Sequence, residues 1–414
     1  MNKESLEKQS WLQLISIQIG GAVCLPVLMI GQELGKTYGF SHALLAIIIG
    51  NSVLCVLGII NAIMAHATKA TTIQNALRYF GGIGAHLLGI IMTTSLVGWF
   101  ALQLIVISLS VQKSASLMFG ITPQLMTLNI IIGVIISIVA VFGIKTLDVL
   151  SRISMPLLIG VLAYATYQAY GSGITPSITG KSYYHGVSLV MAAAILAVVD
   201  LPTYYRFART KRAGIGSIIL FFLLALPLLE YAGVYIGTHT NGNSLVDALI
   251  GTGGIIWQGA VVSFLVLAGW TTNNTNLYSA TVVLEQLLPK SSLVLRTLVL
   301  GFAGTILSCL DILSSYEEVL NGMGILISSM GGVIAIQYLL QHINTHSCQH
   351  VSTISIASWA SGVIGGLLSM NNILMFTDVP ILDAFIIALI SVVIFSSLTK
   401  GILCKKLPKT CSNL

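Results

Sequence analysis

The stretch "IQIGGAVCLPVLMIG", residues 17–31, is apolar enough for a lipid-spanning helix yet carries its own interruption. Gly20 and Gly21 stand together and Pro26 follows. Glycine costs a helix about 1 kcal/mol and proline about 3, and proline also removes a donor from the hydrogen-bond ladder. An ordinary kink is one outcome. A glycine doublet followed by proline within one bilayer's depth reads instead as a break that frees carbonyls and amides to face ions or solutes. Broken spans of this kind belong to secondary transporters that bind their cargo near the membrane midplane.

The rest of the chain supplies the membrane setting. Hydrophobic residues make up 56% of 414 positions and charged residues 8%, with a mean hydropathy of +0.94. A soluble domain carries roughly 25% charged residues, so the composition excludes a water-covered surface and marks an all-α integral membrane protein. A crossing helix needs about 20 mostly apolar residues. Twelve runs qualify as transmembrane helices, at 11–34, 43–65, 84–111, 124–144, 153–171, 187–205, 214–237, 254–285, 294–313, 319–341, 353–370 and 379–401. The first is too long for a signal-peptide core and has no small-residue cleavage site, so it counts as a span. The whole chain, 1–414, reads as one polytopic domain.

An even number of spans puts both termini on one side. Of the 19 Lys and Arg residues, all but Lys36, Lys113 and Lys181 then fall on that side. The positive-inside rule makes it the cytoplasm, with the cell (inner) membrane as the expected location. The net charge of +6 follows from this bias and implies no nucleic-acid partner. "RFARTKR" (206–212) reads as an orientation signal beside anionic lipid. The six cysteines form no CxxC pair, which argues against a disulfide framework or a thiolate metal site. His342, His346 and His350 share a helical spacing but fall in an expected loop, where metal binding is the minor reading.

A second anomaly lies far downstream. In "LAGWTTNNTNLYSA" (267–280), only Leu277 is apolar between Thr271 and Ser279. On a helix, Ala268, Thr271, Thr272, Thr275 and Asn276 share one face. The hydroxyls of Thr271 and Thr272 can join the Ala268 carbonyl and carbonyls from the span-one break in a cage of neutral oxygens. Neutral oxygens suit Na⁺ better than a strongly hydrated divalent ion. Asparagines one turn on can reach a neighbouring organic solute. Interhelical hydrogen-bond glue is the bland alternative, but glue commonly takes one or two polar residues rather than a continuous run.

Span three carries "SLVGWFALQ" (95–103), with Trp99 and Gln103 one helical turn apart. A flat indole and an amide suit a planar heterocycle, the ring stacking and the amide reading its edge. Packing is the competing role for the tryptophan. Two acids stand inside apolar runs. Asp200 precedes Pro202 in span six and is either a functional group, including a proton site, or an interfacial partner of Arg206 or Arg209. Glu230 in span seven reads as structural.

These segments resemble a known family. "GWTTNNTNLYS" (269–279) is similar to the eighth-span motif of the cytosine permeases, in nucleobase:cation symporter family 1. "VGWF" (97–100), "YRFART" (205–210) and "AIIIGN" (46–51) resemble their third, sixth and second spans, in the same order along the chain. The resemblance implies a leucine-transporter-type fold. Two inverted five-helix repeats would occupy roughly 11–171 and 187–341, with two extra C-terminal helices at 353–401 and spans one and six unwound. It implies a Na⁺ site made of the carbonyls of Gly20, Val23 and Ala268 and the hydroxyls of Thr271 and Thr272. Substrate would meet Trp99, Cys24, Leu25, Asn273 and Asn276.

The chain departs from the cytosine-permease pattern at three places. Leu96 replaces a glutamine one turn before Trp99, while Gln103 occupies the position used by hydantoin-type relatives. Ala194 replaces the second aromatic of the ring sandwich. The family's acid before "RF" falls on Thr203, with Asp200 one turn earlier. The expected function is a symporter importing a nucleobase or related small heterocycle, Na⁺-coupled, with no resident cofactor, working as a monomer. A proton-coupled permease of the same fold for another solute, such as a vitamin precursor, is the alternative. A membrane enzyme would need a midplane cluster of His, Cys or acids, and a passive channel repeated polar pore faces; neither pattern is present.

Overall fold

The computed structural model describes residues 8–22, 24–142, 183–239, 254–310, 314–343 and 351–406, with isolated positions between them. The described secondary structure is helical apart from one parallel bridge between Gln9 and Ala208. Helix α1 (Trp11–Ala22) ends where the glycine doublet weakens it, and Cys24 is extended (φ −141°, ψ 159°). Helix α2 (Leu25–Thr68) restarts with Pro26 in its first turn, where an N–H would have no intrahelical acceptor. The expected break in span one is therefore a true interruption.

Helix α2 has 44 residues, about 66 Å at 1.5 Å per residue, or twice the hydrocarbon thickness. It bends at Gly39, whose φ of 70° suits glycine and strains other residues. The expected first and second spans thus share this one element. Helix α3 (Thr72–Phe119) starts with a Thr71–Gln74 capping box and turns at Gly81 (φ 68°) before the segment that carries Trp99. Helix α4 (Leu125–Ala140) follows.

Span six divides into α5 (Tyr183–Val199) and α6 (Leu201–Tyr205) at Asp200. Pro202 cannot donate to the carbonyl four residues back. The ladder recovers at once: Asp200 N donates to Leu196 O at 2.9 Å, and Thr203 N to Asp200 O at 3.0 Å. The resemblance implies an unwound sixth span, whereas here the backbone only kinks at one residue. Helix α7 (Lys211–Leu220) passes through a π-turn (Phe221–Ala225) into α8 (Leu226–His239). Pro227 lies just past the widened turn, and its missing donor is the local cause. Helices α9 (Ile255–Leu287), α10 (Leu293–Leu307), α11 (Tyr316–Ile343), α12 (Val351–Met370) and α13 (Pro380–Lys406) complete the described chain.

Among the described residues, 8 helices are long and apolar enough to cross a membrane, and α4 and α10 are shorter apolar helices. The expectation of twelve spans is not reproduced by this count. One reason is the merging of the first two spans in α2, and another is that 153–171 lies largely outside the described residues. Outward faces carry residues such as Ile83 and Ile256, 86% and 87% exposed, as lipid contact requires. Inside, α2 and α8 meet backbone to backbone: Gly31 lies against the Glu230 carbonyl and Gly233 against that of Leu28. Such small-residue crossings let membrane helices approach closely. Helix α9 packs along α3, and α1 packs against α9. That arrangement brings both sequence anomalies to one place.

Candidate functional site

A cavity opens between the α1–α2 break, α3, the α5–α6 kink, the π-turn and α9, with about 100 Å³ available to the centres of water molecules. One wall is the break itself, with Gln18, Gly21 and Cys24. Trp99 lies opposite on α3, only 8% exposed. Ala194 and Asp200 line the span-six side, and Thr272, Thr275, Asn276 and Ser279 the α9 side. Gly21 sits against Thr275 so closely that an added methyl would lie 3.3 Å from the threonine methyl. The small residue is what lets the break touch α9.

The expected site residues separate into two groups. Trp99, Cys24, Ala194, Asn276, Thr272 and Asp200 line the cavity. Gln103 (1% exposed), Leu25 (2%) and Asn273 (0%) are buried behind it. Asn273 Nδ2 donates to the Phe100 carbonyl at 3.3 Å, joining α9 to α3. Gln103 lies beside Gly269, and its Oε1 has no hydrogen-bond partner. Leu96 borders the cavity as an apolar wall. Ala194 borders the cavity with a methyl group only.

The proposed cage residues are placed as follows. Thr271 and Thr272 Oγ1 donate to the Ala268 carbonyl at 2.8 and 3.0 Å, and Thr275 Oγ1 to the Thr271 carbonyl at 3.0 Å. Their protons are thus used within α9, Thr272 and Thr275 border the cavity, and Thr271 and Ala268 are fully buried and do not line it. The Cys24 and Thr272 side chains meet across the break. Gly20 is buried in the last turn of α1, and Val23 lies outside the described residues. No group of three or more His, Cys, Asp or Glu side chains that could hold a metal occurs among the described residues. The donor set at this point, neutral hydroxyls and carbonyls, fits a monovalent cation.

Asp200 is buried (3% exposed), its hydrogen bonds come from hydroxyls, and the charge of Arg206 also acts on it. Thr72 Oγ1 donates to its Oδ1 at 3.0 Å and Thr203 Oγ1 at 2.6 Å. Ser279 reaches the same carboxyl group. Tyr204 OH pairs with Ser279 Oγ at 2.7 Å and donates to the Thr275 carbonyl at 3.1 Å. Arg206, the partner considered from sequence, lies 4.6 Å above the Phe207 ring. Glu230 is buried at the α2–α8 crossing, where Asn51 Nδ2 donates to it at 2.5 Å. The side chain of His342, and all of His346 and His350, fall outside the described residues.

Sequence reasoning missed Gln18, Tyr204, Ser279 and Phe221 as cavity residues. Gln18 carried a signal, being a lone amide one turn before the break. Ser279 belonged to the recognised polar run. Phe221 carried none, since nothing distinguishes it from its apolar neighbours before the π-turn is seen.

Comparison with known proteins follows the same direction. The family model for permeases of cytosine/purines, uracil, thiamine and allantoin matches residues 3–358. The chain belongs to this family. It is therefore a membrane transporter rather than an enzyme. The cytosine permease of Escherichia coli (strain K12) is 24% identical over 351 residues, covering 81% of this chain and 80% of the relative. Mhp1, a nucleobase-cation-symport-1 family transporter in a closed conformation with bromovinylhydantoin bound, superposes with a TM-score of 0.78. It is 15% identical and covers 97% of this chain and 96% of its own. MhsT in complex with L-phenylalanine gives a TM-score of 0.60 at 13% identity, covering 94% of this chain and 99% of its own. The transporter shares their leucine-transporter-type fold.

Proposed function

We propose that the transporter is a symporter that imports a nucleobase or related small heterocycle, with Na⁺ as coupling ion and the ring stacked on Trp99. The carrying observation is the convergence of Trp99, the α1–α2 break and the threonine face of α9 on one cavity. A buried indole at its wall offers a flat apolar surface, and Asn276 and Gln18 offer amides to the edge of a ring. The E. coli relative is a cytosine permease and Mhp1 binds a hydantoin, which favours the same solute class here. Leu96 and Ala194 argue against cytosine itself, because the two contacts they replace are missing.

Coupling follows from position. Na⁺ held by the carbonyls of Gly20, Val23 and Ala268 and the hydroxyls of Thr271 and Thr272 would tie the break to α9. The same contact shapes the wall at Cys24 and Thr272. Ion and solute then favour the same closed state, and each raises the other's affinity. Twelve spans in two inverted repeats, cytoplasmic termini in the cell inner membrane and a monomeric unit complete the reading. A second reading, proton coupling through Asp200, is favoured by the carboxyl group at the cavity wall.

The test is a thermal-shift panel of purines, pyrimidines and hydantoins on purified transporter, each with Na⁺ and with choline. Bound ligand stabilises the folded state by mass action. A ring that raises the melting temperature only in Na⁺ is the expected result. A ring that binds equally in choline removes the Na⁺ assignment, and a panel without hits removes the heterocycle.

A further inference from the structure

The cavity lining is mixed in chemistry: Trp99, Leu96 and Ala194 contribute apolar surface, and Asp200, Ser279 and Tyr204 contribute polar groups. Trp99 and Asp200 line the same cavity, so a ring lying on Trp99 shares that space with this carboxyl group.

Asp200 is equipped to meet it. Both threonine hydrogen bonds, from Thr72 and Thr203, fall on Oδ1. Neither of these two bonds falls on Oδ2. The charge of Arg206 acts on this carboxyl group from a distance, and no Lys, Arg or His among the described residues forms an ion pair with it. A buried carboxylate is costly unless N–H or O–H donors also satisfy it. Thr72 and Thr203 supply part of that need, and a ligand donor in the cavity would supply the rest. Asn276 is a second, independent sign of a missing ligand: it lines the cavity, and its Nδ2 is buried with no partner. An amide and a carboxylate together read a ring edge that offers both an acceptor and N–H donors.

We infer that Asp200 selects the solute, and that the transported compound is an amino-substituted heterocycle whose N–H donors face this carboxyl group rather than its oxo counterpart. This rests on the cavity being the heterocycle site. A ring carbonyl in the same place would set oxygen against oxygen. An amidine-like edge, with an amino group beside a ring nitrogen, can present parallel donors to a carboxylate when protonated. Ser279, paired with Tyr204, lies beside the acid.

The experiment is competition binding on the purified full-length transporter in Na⁺, with matched probes: 4-aminopyrimidine against 4-hydroxypyrimidine, adenine against hypoxanthine, and cytosine against uracil. In the pairs that bind, the amino member is expected to bind about tenfold or more tighter, the discrimination given by one hydrogen bond to a charged group. Asp200→Asn, which presents donor and acceptor alike, should bring that ratio near one while ring binding persists. Equal affinity for amino and oxo members in the unaltered protein overturns the inference, and does so even if D200N fails to fold. So does a D200N protein that keeps the ratio and loses only the pH dependence of uptake, the behaviour of a proton carrier. Failure of every ring to bind is a different result: it removes the heterocycle reading and this inference with it.

Discussion

Thr272 touches both parts of the candidate site, its hydroxyl bonded to the Ala268 carbonyl at 3.0 Å and its side chain meeting Cys24 at the break. Replacing it with alanine removes one proposed ion ligand and leaves the Ala268 carbonyl with its bond from Thr271. Thr272→Ala should raise the Na⁺ concentration needed for half-maximal substrate binding by about tenfold or more, the scale of one charge-assisted contact. Unchanged Na⁺ dependence would mean that the residue only packs α9. Trp99→Ala should weaken ring binding roughly ten- to hundredfold, since base–aromatic stacking is worth about 1–3 kcal/mol. Equilibrium binding measures this directly, and retained affinity would place the solute elsewhere.

The elements show why the chain was readable in parts. The glycine doublet and Pro26 announced the interruption at Ala22–Cys24, because each weakens a helix through its own backbone. Pro202 announced the kink at Asp200, but not its depth. The ladder recovers within one residue there, and recovery depends on neighbours that the sequence does not display. The bend at Gly39 was not legible, because a single glycine amid apolar residues has no local mark of a positive φ. Of the expected site residues, Trp99, Cys24, Ala194, Asn276, Thr272 and Asp200 reached the cavity. Gln103 and Asn273 share the right helices, yet they point into helix–helix contacts, and a one-dimensional pattern cannot separate the two directions.

Close packing of the elements makes a further prediction. A methyl group at Gly233 would overlap the Leu28 carbonyl, whereas at Gly216 nothing lies within 4 Å. Gly233→Ala should therefore destabilise the α2–α8 crossing by about 1–3 kcal/mol, the usual cost of overpacking. Gly216→Ala should be neutral or slightly stabilising, through a better helix propensity. Thermal unfolding in detergent checks both. Equal melting temperatures for the two variants would show that the crossing is looser than its backbone contacts indicate.

At the scale of the whole molecule, the α1–α2 break, the span-six kink and α9 meet at one cavity within an apolar exterior. Family membership and shared fold make the protein a transporter, and the cavity gives the proposed coupling its location. Active symport requires that an ion gradient drive the solute above equilibrium, which a passive pore cannot do. The most direct measurement is uptake in proteoliposomes of a labelled heterocycle that binds in the thermal-shift panel, with an inward Na⁺ gradient and with Na⁺ replaced by choline at constant pH. Accumulation above the external concentration in Na⁺, abolished in choline, is the predicted result. Accumulation that persists in choline, or equilibration without accumulation, would contradict Na⁺-coupled symport.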